Sequence, residues 1–216
     1  MFDNGDTPPD WLRGTVAVSE TPLTIYQAWN VAVQLSSTEY VMNLNLDDRL
    51  APDAVSTMQE FADANQAGLV GGDWSIQYSQ SDTDDVKESF RASALPFHPS
   101  WPPTPGTATR LGSGTGERGT LGPATLWRRE LHDRAPFPWQ FASGAPIRIV
   151  GDLVWWKVAH EHLGAPVVRL PLVIGSYHSH PGDQAEFRSD DEHHLLSSEG
   201  IKMDWYPLDR ISEEQQ

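Results

Sequence analysis

The sequence predicts a layered α/β domain with a mixed, mostly parallel sheet flanked by helices. Apolar runs of strand length alternate with amphipathic helical patterns over residues 15–78. The chain has 216 residues, 38% of them hydrophobic, which is enough to bury a sizeable core. Two acidic residues follow directly after one predicted strand, at the carboxyl end where α/β sheets bind their ligands.

The first part of the chain supplies most of the predicted sheet. The strand candidates there are residues 15–18, 40–46 and 69–78. Residues 23–36 repeat apolar side chains at helical spacing, with Thr21 or Thr24 as the N-cap. Pro52 opens a second helix in the tolerated first turn, and Gly68 ends it. Strand, helix, strand, helix, strand is the order typical of an α/β sheet.

The second part is less regular. Residues 79–121 are a long irregular stretch rich in Pro and Gly. Three later elements are predicted: a short helix over 123–131, a helix over 151–162 and a strand over 167–176. Pro171 interrupts that strand, which is therefore expected at a sheet edge or at a bulge. The predicted organisation is a lead-in (1–14), one domain (15–180) and a polar C-terminal extension (181–216).

Composition excludes several classes of protein. The formal net charge is −15 with no basic patch, so nucleic acid is not an expected partner. Cysteine is absent, which excludes disulfides and thiolate metal sites. No segment approaches the roughly 20 apolar residues of a transmembrane helix, and the N-terminus lacks the pattern of a secretory signal. A cytoplasmic protein is the expectation.

The pair Asp47–Asp48 is the strongest chemical signal in the sequence. Both carboxylates follow the apolar run that begins at Tyr40. Carboxylates at the end of a buried strand need a partner that offsets the loss of hydration, and a divalent cation with a phosphate ligand is a common one. The alternative is that the pair only caps the next turn, since Asp is a favoured turn residue.

An ordered set of motifs resembles glycosyltransferase family 2, the inverting enzymes with the GT-A fold. The resemblance covers roughly residues 15–180. The motifs are Tyr26-Gln27-Ala28-Trp29-Asn30, Asn45-Leu46-Asp47-Asp48, Gly122-Pro123 with Trp127-Arg128, Gly151-Asp152, and a strand leading to Tyr177-His178. The resemblance implies a GT-A-like (Rossmann-like) fold and the transfer of a sugar from a nucleotide-diphosphate sugar to a hydroxyl acceptor, carbohydrate or lipid-linked.

The resemblance also implies a bound Mn²⁺ or Mg²⁺. Its ligands at the matching positions are Asn45, Asp47 and Asp48, and His178 completes the metal shell. Asn45 stands where the family more often has Asp. Hard cations accept carbonyl oxygens, so this change weakens the site without abolishing it. The alternative for His178 is a solvated loop histidine.

Catalytic and substrate-binding roles are implied in the same way. Asp152 matches the position of the general base; the alternative is that it only caps its helix. The implied substrate-binding residues are Asn30, Arg49, Trp127, Arg128 and Trp155. Plain core packing is the alternative for Trp127.

Members of the family normally begin with further strands that bind the nucleotide base. Only 14 residues precede the strand at residue 15, whereas a full βαβ unit needs ~30. An N-terminally truncated domain with an exposed sheet edge predicts a homo-oligomer. Two other functions stay open: a non-catalytic carbohydrate- or partner-binding protein, and a metal-dependent hydrolase that uses Asp47, Asp48, His178 and His180.

Overall fold

The computed structural model describes residues 15–19, 21–98, 108–109, 121–122, 124–178 and 189–215. The chain divides into two compact units. The sheet unit comprises Thr38–Leu131 and Trp156–Arg188, and the terminal unit comprises Met1–Ser37, His132–Trp155 and Ser189–Gln216. The predicted lead-in, His180, Pro123 and much of the irregular stretch 79–121 lie outside the described residues.

The described helices and strands follow the predicted α/β order. The helices are α1 (Ile25–Leu35), α2 (Ala54–Ala64), α3 (Gln80–Asp84), α4 (Arg129–Arg134), α5 (Gly151–Lys157) and α6 (Ser189–Ser198). The strands are β1 (Thr15–Ser19), β2 (Tyr40–Met42), β3 (Arg49–Leu50), β4 (Leu69–Gln77), β5 (Phe90–Arg91), β6 (Phe97–His98), β7 (Ala108–Thr109), β8 (Leu126–Arg128), β9 (Gln140–Phe141), β10 (Val167–His178), β11 (Ile201–Lys202) and β12 (Ile211–Gln215). A π-helical turn, Val158–His162, continues α5. None of the helices in this part of the chain is both long and apolar enough to cross a membrane.

The sheet unit is built on the parallel pair β4 and β10. The strand order is β2-β8-β4-β10-β3, and β5 and β7 add short pairings to β10 and β4. The pairings of β8, β3, β5 and β7 with these two strands are antiparallel. The predicted α/β class with a mixed sheet is therefore confirmed; its parallel pairings are the long central pair and the short pair of β6 with β7.

Helix α2 packs on this central pair. Ala54, Met58 and Ala62 recur every four residues, lie on one face of the helix and are fully buried. They belong to the same core cluster as Trp74 of β4 and Ile174 of β10. This packing fixes both strands from one side and sets the edge at which their carboxyl ends meet.

Pro171 produces a bulge in β10, one of the two outcomes predicted. The register between β10 and β4 shifts between Arg169 and Val173, and again between Val173 and Gly175. Proline cannot donate to the sheet ladder, so the strand passes it by losing register. The strand nevertheless lies inside the sheet, because β4 pairs on one side and β3 and β5 pair on the other.

The terminal unit has two small two-stranded sheets and an aromatic core. Strand β1 pairs antiparallel with β12, and β9 pairs with β11. Thr24 is the N-cap of α1, as predicted, and its N–H donates to Gln27 Oε1 at 2.8 Å. Phe137 lies at the centre of the core, with ring contacts to Trp29 and His132 among others.

Three predicted elements need correction. Strand β1 does not join the main sheet but pairs with β12, which lies at the far end of the sequence. The predicted helix over 123–131 is strand β8 followed by α4, because Leu126 and Trp127 are buried between β2 and β4. Strand β2 ends at Met42, where its pairing with β8 stops, and Leu46 is 65% exposed.

Candidate active site

An acidic turn at one edge of the sheet unit contains the predicted metal ligands. Asp47 and Asp48 lie in the turn between β2 and β3. Strand β3 pairs with Gly175 and Ser176 of β10, which brings this turn to the carboxyl end of β10. Ligands of α/β sheets bind at such strand ends. The structure thus brings together Asn45, Asp47, Asp48 and His178, which are separated by up to 133 positions in the sequence.

Gly175 makes the close approach of β3 possible. A Cβ added at this position meets the Arg49 carbonyl oxygen at less than van der Waals contact and lies 2.9 Å from Trp74 Cζ3. Both neighbours are held in the sheet, so neither has an easy way to move aside.

Gly175→Ala is therefore expected to lower the free energy of unfolding by about 1–3 kcal/mol, the usual cost of overpacking. Urea denaturation measures this effect. Gly164→Ala is the matched control, because Gly164 has a φ of +72° but no neighbouring atom within 4 Å of an added Cβ. Its cost comes from the backbone alone, about 1 kcal/mol. A Gly175→Ala protein as stable as the wild type contradicts the steric role given to Gly175.

Asp48 points inward and organises the turn. It is only 1% exposed, and its Oδ1 accepts from the His178 backbone N–H at 3.1 Å. Its Oδ2 accepts from Asn45 Nδ2, also at 3.1 Å. Burial raises the pKa of Asp48 to about 7, against the opposing effect of the bond from His178. Asp48 thus links Asn45 to the end of β10.

Asp47 of this turn and His178 at the end of β10 are more exposed to solvent than Asp48. The Asp47 Oδ2 and His178 Nδ1 atoms are 3.8 Å apart, and the side chains are 55% and 23% exposed. Carboxylate, amide and imidazole are donors that Mn²⁺ and Mg²⁺ accept, so the chemistry of this set fits a divalent cation. Within the described residues, however, no three Asp, Glu or His side chains are grouped closely enough to hold a metal ion. The residues therefore fit a divalent cation by the types of their donor atoms, and the Asn45 amide oxygen would be the third donor.

Arg49 braces the acidic turn from outside. Its Nη1 donates to the carbonyl oxygens of Leu46 and Asp48, both at 2.8 Å. Its Nε lies 2.8 Å from Asp84 Oδ1 of α3. These bonds give the guanidinium a structural role. The predicted contact of Arg49 with substrate stays a prediction.

Asp152 forms a second cluster, in the terminal unit, at the start of α5. Its Oδ1 accepts from the Leu153 N–H at 2.7 Å and from the Tyr26 hydroxyl at 3.2 Å. Burial raises the pKa of Asp152 to about 6, while these two bonds favour the ionised form. Burial and the neighbouring Asp152 also hold the pKa of Tyr26 well above its usual value.

Gly151 explains why this cluster is so compact. A Cβ at this position meets the Tyr26 ring at 2.6 Å and the Pro138 carbonyl oxygen at 2.8 Å. Only glycine allows the first turn of α5 to approach the ring this closely. Steric crowding therefore explains why glycine precedes Asp152 in the sequence.

Four of the predicted substrate-binding residues have side chains that are buried or bonded within the protein. Trp127 and Trp155 are buried, and Asn30 is fully enclosed. The Asn30 amide bonds both the N–H and the C=O of Phe137 at 2.9 Å and lies 3.0 Å from His132 Nε2. These three side chains are part of the core, and their predicted contact with substrate stays a prediction.

The Arg128 guanidinium also has protein partners. It pairs with Glu39 and with Asp63, donates from Nε to the Ala67 carbonyl oxygen at 3.1 Å, and stacks over the Tyr40 ring. These contacts join β8 to β2 and α2. Contact of Arg128 with a phosphate or hydroxyl of the substrate stays a prediction.

Two residues, Tyr26 beside Asp152 and Glu192 of α6, have no role predicted from the sequence. Tyr26 belongs to the first of the family motifs, which by itself does not indicate what its hydroxyl contacts. Glu192 lies 40 positions from Asp152, in a segment without a core pattern. No sequence signal marks it, because its carboxylate accepts hydrogen bonds from backbone N–H groups, those of residues 148–150.

The mixed sheet with a parallel pair flanked by helices is consistent with the GT-A-like class of transferase folds. A family model described as "Glycosyl transferase family 2" matches residues 10–135, more than half of the chain, and the protein belongs to this family. No curated protein matches the sequence. The matched region includes the acidic turn but ends before Asp152 and His178.

Proposed function

We propose that the protein is a metal-dependent, inverting glycosyltransferase that moves a sugar from a nucleotide-diphosphate sugar to a hydroxyl acceptor. The chain belongs to family 2, and the observation that carries this proposal is the acidic turn at the end of β10. There, Asp47 of the turn lies 3.8 Å from His178 of β10. Buried Asp48 holds both sides of that turn through hydrogen bonds. Homo-oligomerisation and a cytoplasmic location stay predictions of the sequence.

In the proposed site, Asp47, His178 and the amide oxygen of Asn45 hold Mn²⁺ or Mg²⁺. The ion supplies positive charge that neutralises the diphosphate leaving group. Asp48 is proposed as a further ligand. Each of its oxygens also accepts one hydrogen bond, from the His178 N–H or from Asn45, so Asp48 in addition orients Asn45 and the end of β10.

Asp152 is the proposed general base. One carboxylate oxygen takes the proton of the acceptor hydroxyl while the hydroxyl oxygen attacks the anomeric carbon. The bond from that carbon to the diphosphate breaks, and the electron pair leaves with the nucleotide. Since the Tyr26 and Leu153 bonds both reach Oδ1, we assign the proton to Oδ2. A pKa of about 6 leaves this carboxylate ionised at neutral pH but more basic than an ordinary Asp.

Nucleotide binding tests the proposed metal site without knowledge of the sugar. Uridine diphosphate and guanosine diphosphate are titrated in the presence of Mn²⁺, and tryptophan fluorescence reports binding, since the chain contains nine Trp. Asp47→Ala is expected to weaken the Mn²⁺-dependent affinity by at least about 10–100-fold, because loss of even an outer-shell partner of a metal ligand has an effect of this size.

Asp85→Ala is the control, because Asp85 is exposed and pairs only weakly with Lys87, at 3.5 Å. Its affinity is expected to match the wild type. Binding that is equally strong in the Asp47→Ala protein, or in the presence of EDTA, contradicts the metal site.

A second candidate is a non-catalytic protein of the same fold that binds a carbohydrate or a partner. It is favoured by the lack, among the described residues, of three closely grouped Asp, Glu or His side chains. Failure of both nucleotides to bind at any Mn²⁺ concentration supports this second candidate.

A further inference from the structure

Glu192 of α6 binds three consecutive backbone amides. Its Oε1 accepts from the Arg148 N–H at 2.8 Å, and its Oε2 accepts from the N–H groups of Ile149 and Val150 at 2.9 and 3.1 Å. The Glu192 residue is buried. Hydrogen bonds to an ionised carboxylate are roughly twice as strong as neutral ones, so this side chain holds the segment 148–150 firmly.

The segment that Glu192 holds leads directly into the Asp152 cluster. Residue 150 precedes Gly151 and Asp152, and the Val150 carbonyl accepts the N–H of Val154 in the first turn of α5. Any movement of 148–150 therefore displaces the start of the helix that carries Asp152.

Tyr26 connects the same segment to the carboxylate itself. Its hydroxyl oxygen lies 2.6 Å from the Ile149 carbonyl oxygen and 3.2 Å from Asp152 Oδ1. A hydroxyl has one proton and donates to one acceptor at a time. The position of the Ile149 carbonyl therefore decides how the Tyr26 proton is shared. Glu192 fixes this peptide group through its N–H, which is that of Val150.

We propose that Glu192 is a positioning residue for Asp152: its carboxylate anchors 148–150, and this anchor keeps the Asp152 carboxylate in its partly buried position beside Tyr26. The inference rests on the proposed role of Asp152 as general base. Glu192 does not touch the reacting groups and acts through the backbone alone.

The test uses the full chain and needs no substrate. Glu192→Gln retains the shape of the side chain but removes its charge. Hydrogen exchange of the amides of 148–150 is expected to accelerate at least tenfold. The pKa of Asp152, followed by the ¹³C shift of its carboxyl carbon and assigned with Asp152→Asn, is expected to fall by at least one unit, because a loosened segment admits water and burial is the main cause of the raised value.

Glu199→Gln is the matched control on the same helix region, because Glu199 is exposed. It is expected to change neither measurement. Glu192→Asp keeps the charge and serves as the second variant if Glu192→Gln does not fold; it is expected to give an intermediate shift. A Glu192 variant whose amide exchange and Asp152 pKa equal those of the control overturns the proposal.

Activity separates this inference from the proposed function. If Glu192→Gln shifts the pKa of Asp152 while Asp152→Asn retains full sugar transfer, Glu192 positions Asp152 but Asp152 is not the base. If the base assignment is right, Glu192→Gln lowers kcat with little change in KM, and the acid limb of the pH profile moves with the pKa of Asp152.

Discussion

Asp152→Asn is expected to slow sugar transfer by about 10²–10⁴-fold, the usual contribution of a general base. Asparagine keeps the shape of the side chain and can still accept from Tyr26 and Leu153, but it cannot take a proton. Release of nucleoside diphosphate from a panel of uridine- and guanosine-diphosphate sugars measures the rate. Mn²⁺-dependent nucleotide binding is expected to stay intact, because the acidic turn is unchanged.

The same variant has an effect on stability that needs no substrate. The pKa of Asp152 is raised to about 6 in the folded protein, whereas Asp in an unfolded chain titrates near 4. The folded state therefore binds this proton more tightly than the unfolded chain does. The contribution of the protonated Asp152 carboxyl to the free energy of unfolding is complete below about pH 4, and it is lost as the pH rises through about 6.

Asp152→Asn removes this loss, so the variant is expected to exceed the wild type in stability at pH 8 by ~1–3 kcal/mol. Chemical denaturation at pH 4, 6 and 8 measures the difference. Asp191→Asn is the control, since Asp191 is exposed. Unaltered activity in Asp152→Asn contradicts the base assignment, and a pH-independent stability difference contradicts the raised pKa.

Arg169→Met is expected to lower the free energy of unfolding by about 3–5 kcal/mol, the usual cost of removing one partner of a buried ion pair. Arg169 Nη2 lies 3.0 and 3.1 Å from the two carboxylate oxygens of Asp73. Asp73 is fully buried in β4, so the substitution leaves its negative charge without this cation. Urea denaturation and the midpoint of thermal unfolding measure the loss.

The double variant Asp73→Asn/Arg169→Met is expected to recover much of that stability, because it removes both charges together. Arg91→Met is the control: Arg91 is exposed on β5, which also pairs with β10. If Arg169→Met lowers the free energy of unfolding no more than Arg91→Met does, the result contradicts a strong ion pair between Arg169 and Asp73.

The Asp73–Arg169 pair also bears on the candidate site. Arg169 precedes the Pro171 bulge, and Asp73 pairs in register with Val173 just after it. The ion pair thus joins β4 and β10 across the place where their ladder is interrupted. Since β10 continues to His178, weakening this pair is expected to loosen the end of the strand that meets the acidic turn.

The local periodicity of the sequence was sufficient to predict α1, α2, β4 and β10. Helix α2 repeats small and apolar residues every four positions, and β4 contains the apolar residues Leu69, Val70, Trp74 and Ile76 within nine positions. The bulge at Pro171 was also predictable, because proline lacks the N–H that a ladder requires. The family resemblance followed from the order of short motifs along the chain.

Strand pairing and burial of individual side chains were not predictable in this way. The segment from Leu126 to Leu131 has a composition that suits a helix, but its first three residues fill the space between β2 and β4. Asn30 and Arg128 are polar, and only their packing shows that Phe137 and Glu39 are among their partners. Sequence patterns report local preference, whereas these outcomes depend on contacts across many tens of residues.

The α/β class, the family and the acidic pair Asp47–Asp48 could all be predicted from short stretches of residues and their order along the chain. The inward orientation of Asp48 and the position of Asp47 opposite His178 could be found only from the folded chain. The same holds for the position of Asp152 beside Tyr26, behind the anchor of Glu192. The physical reason is burial: the hydration that a carboxylate loses, and therefore its pKa and its role, depends on groups that are close in space and distant in sequence.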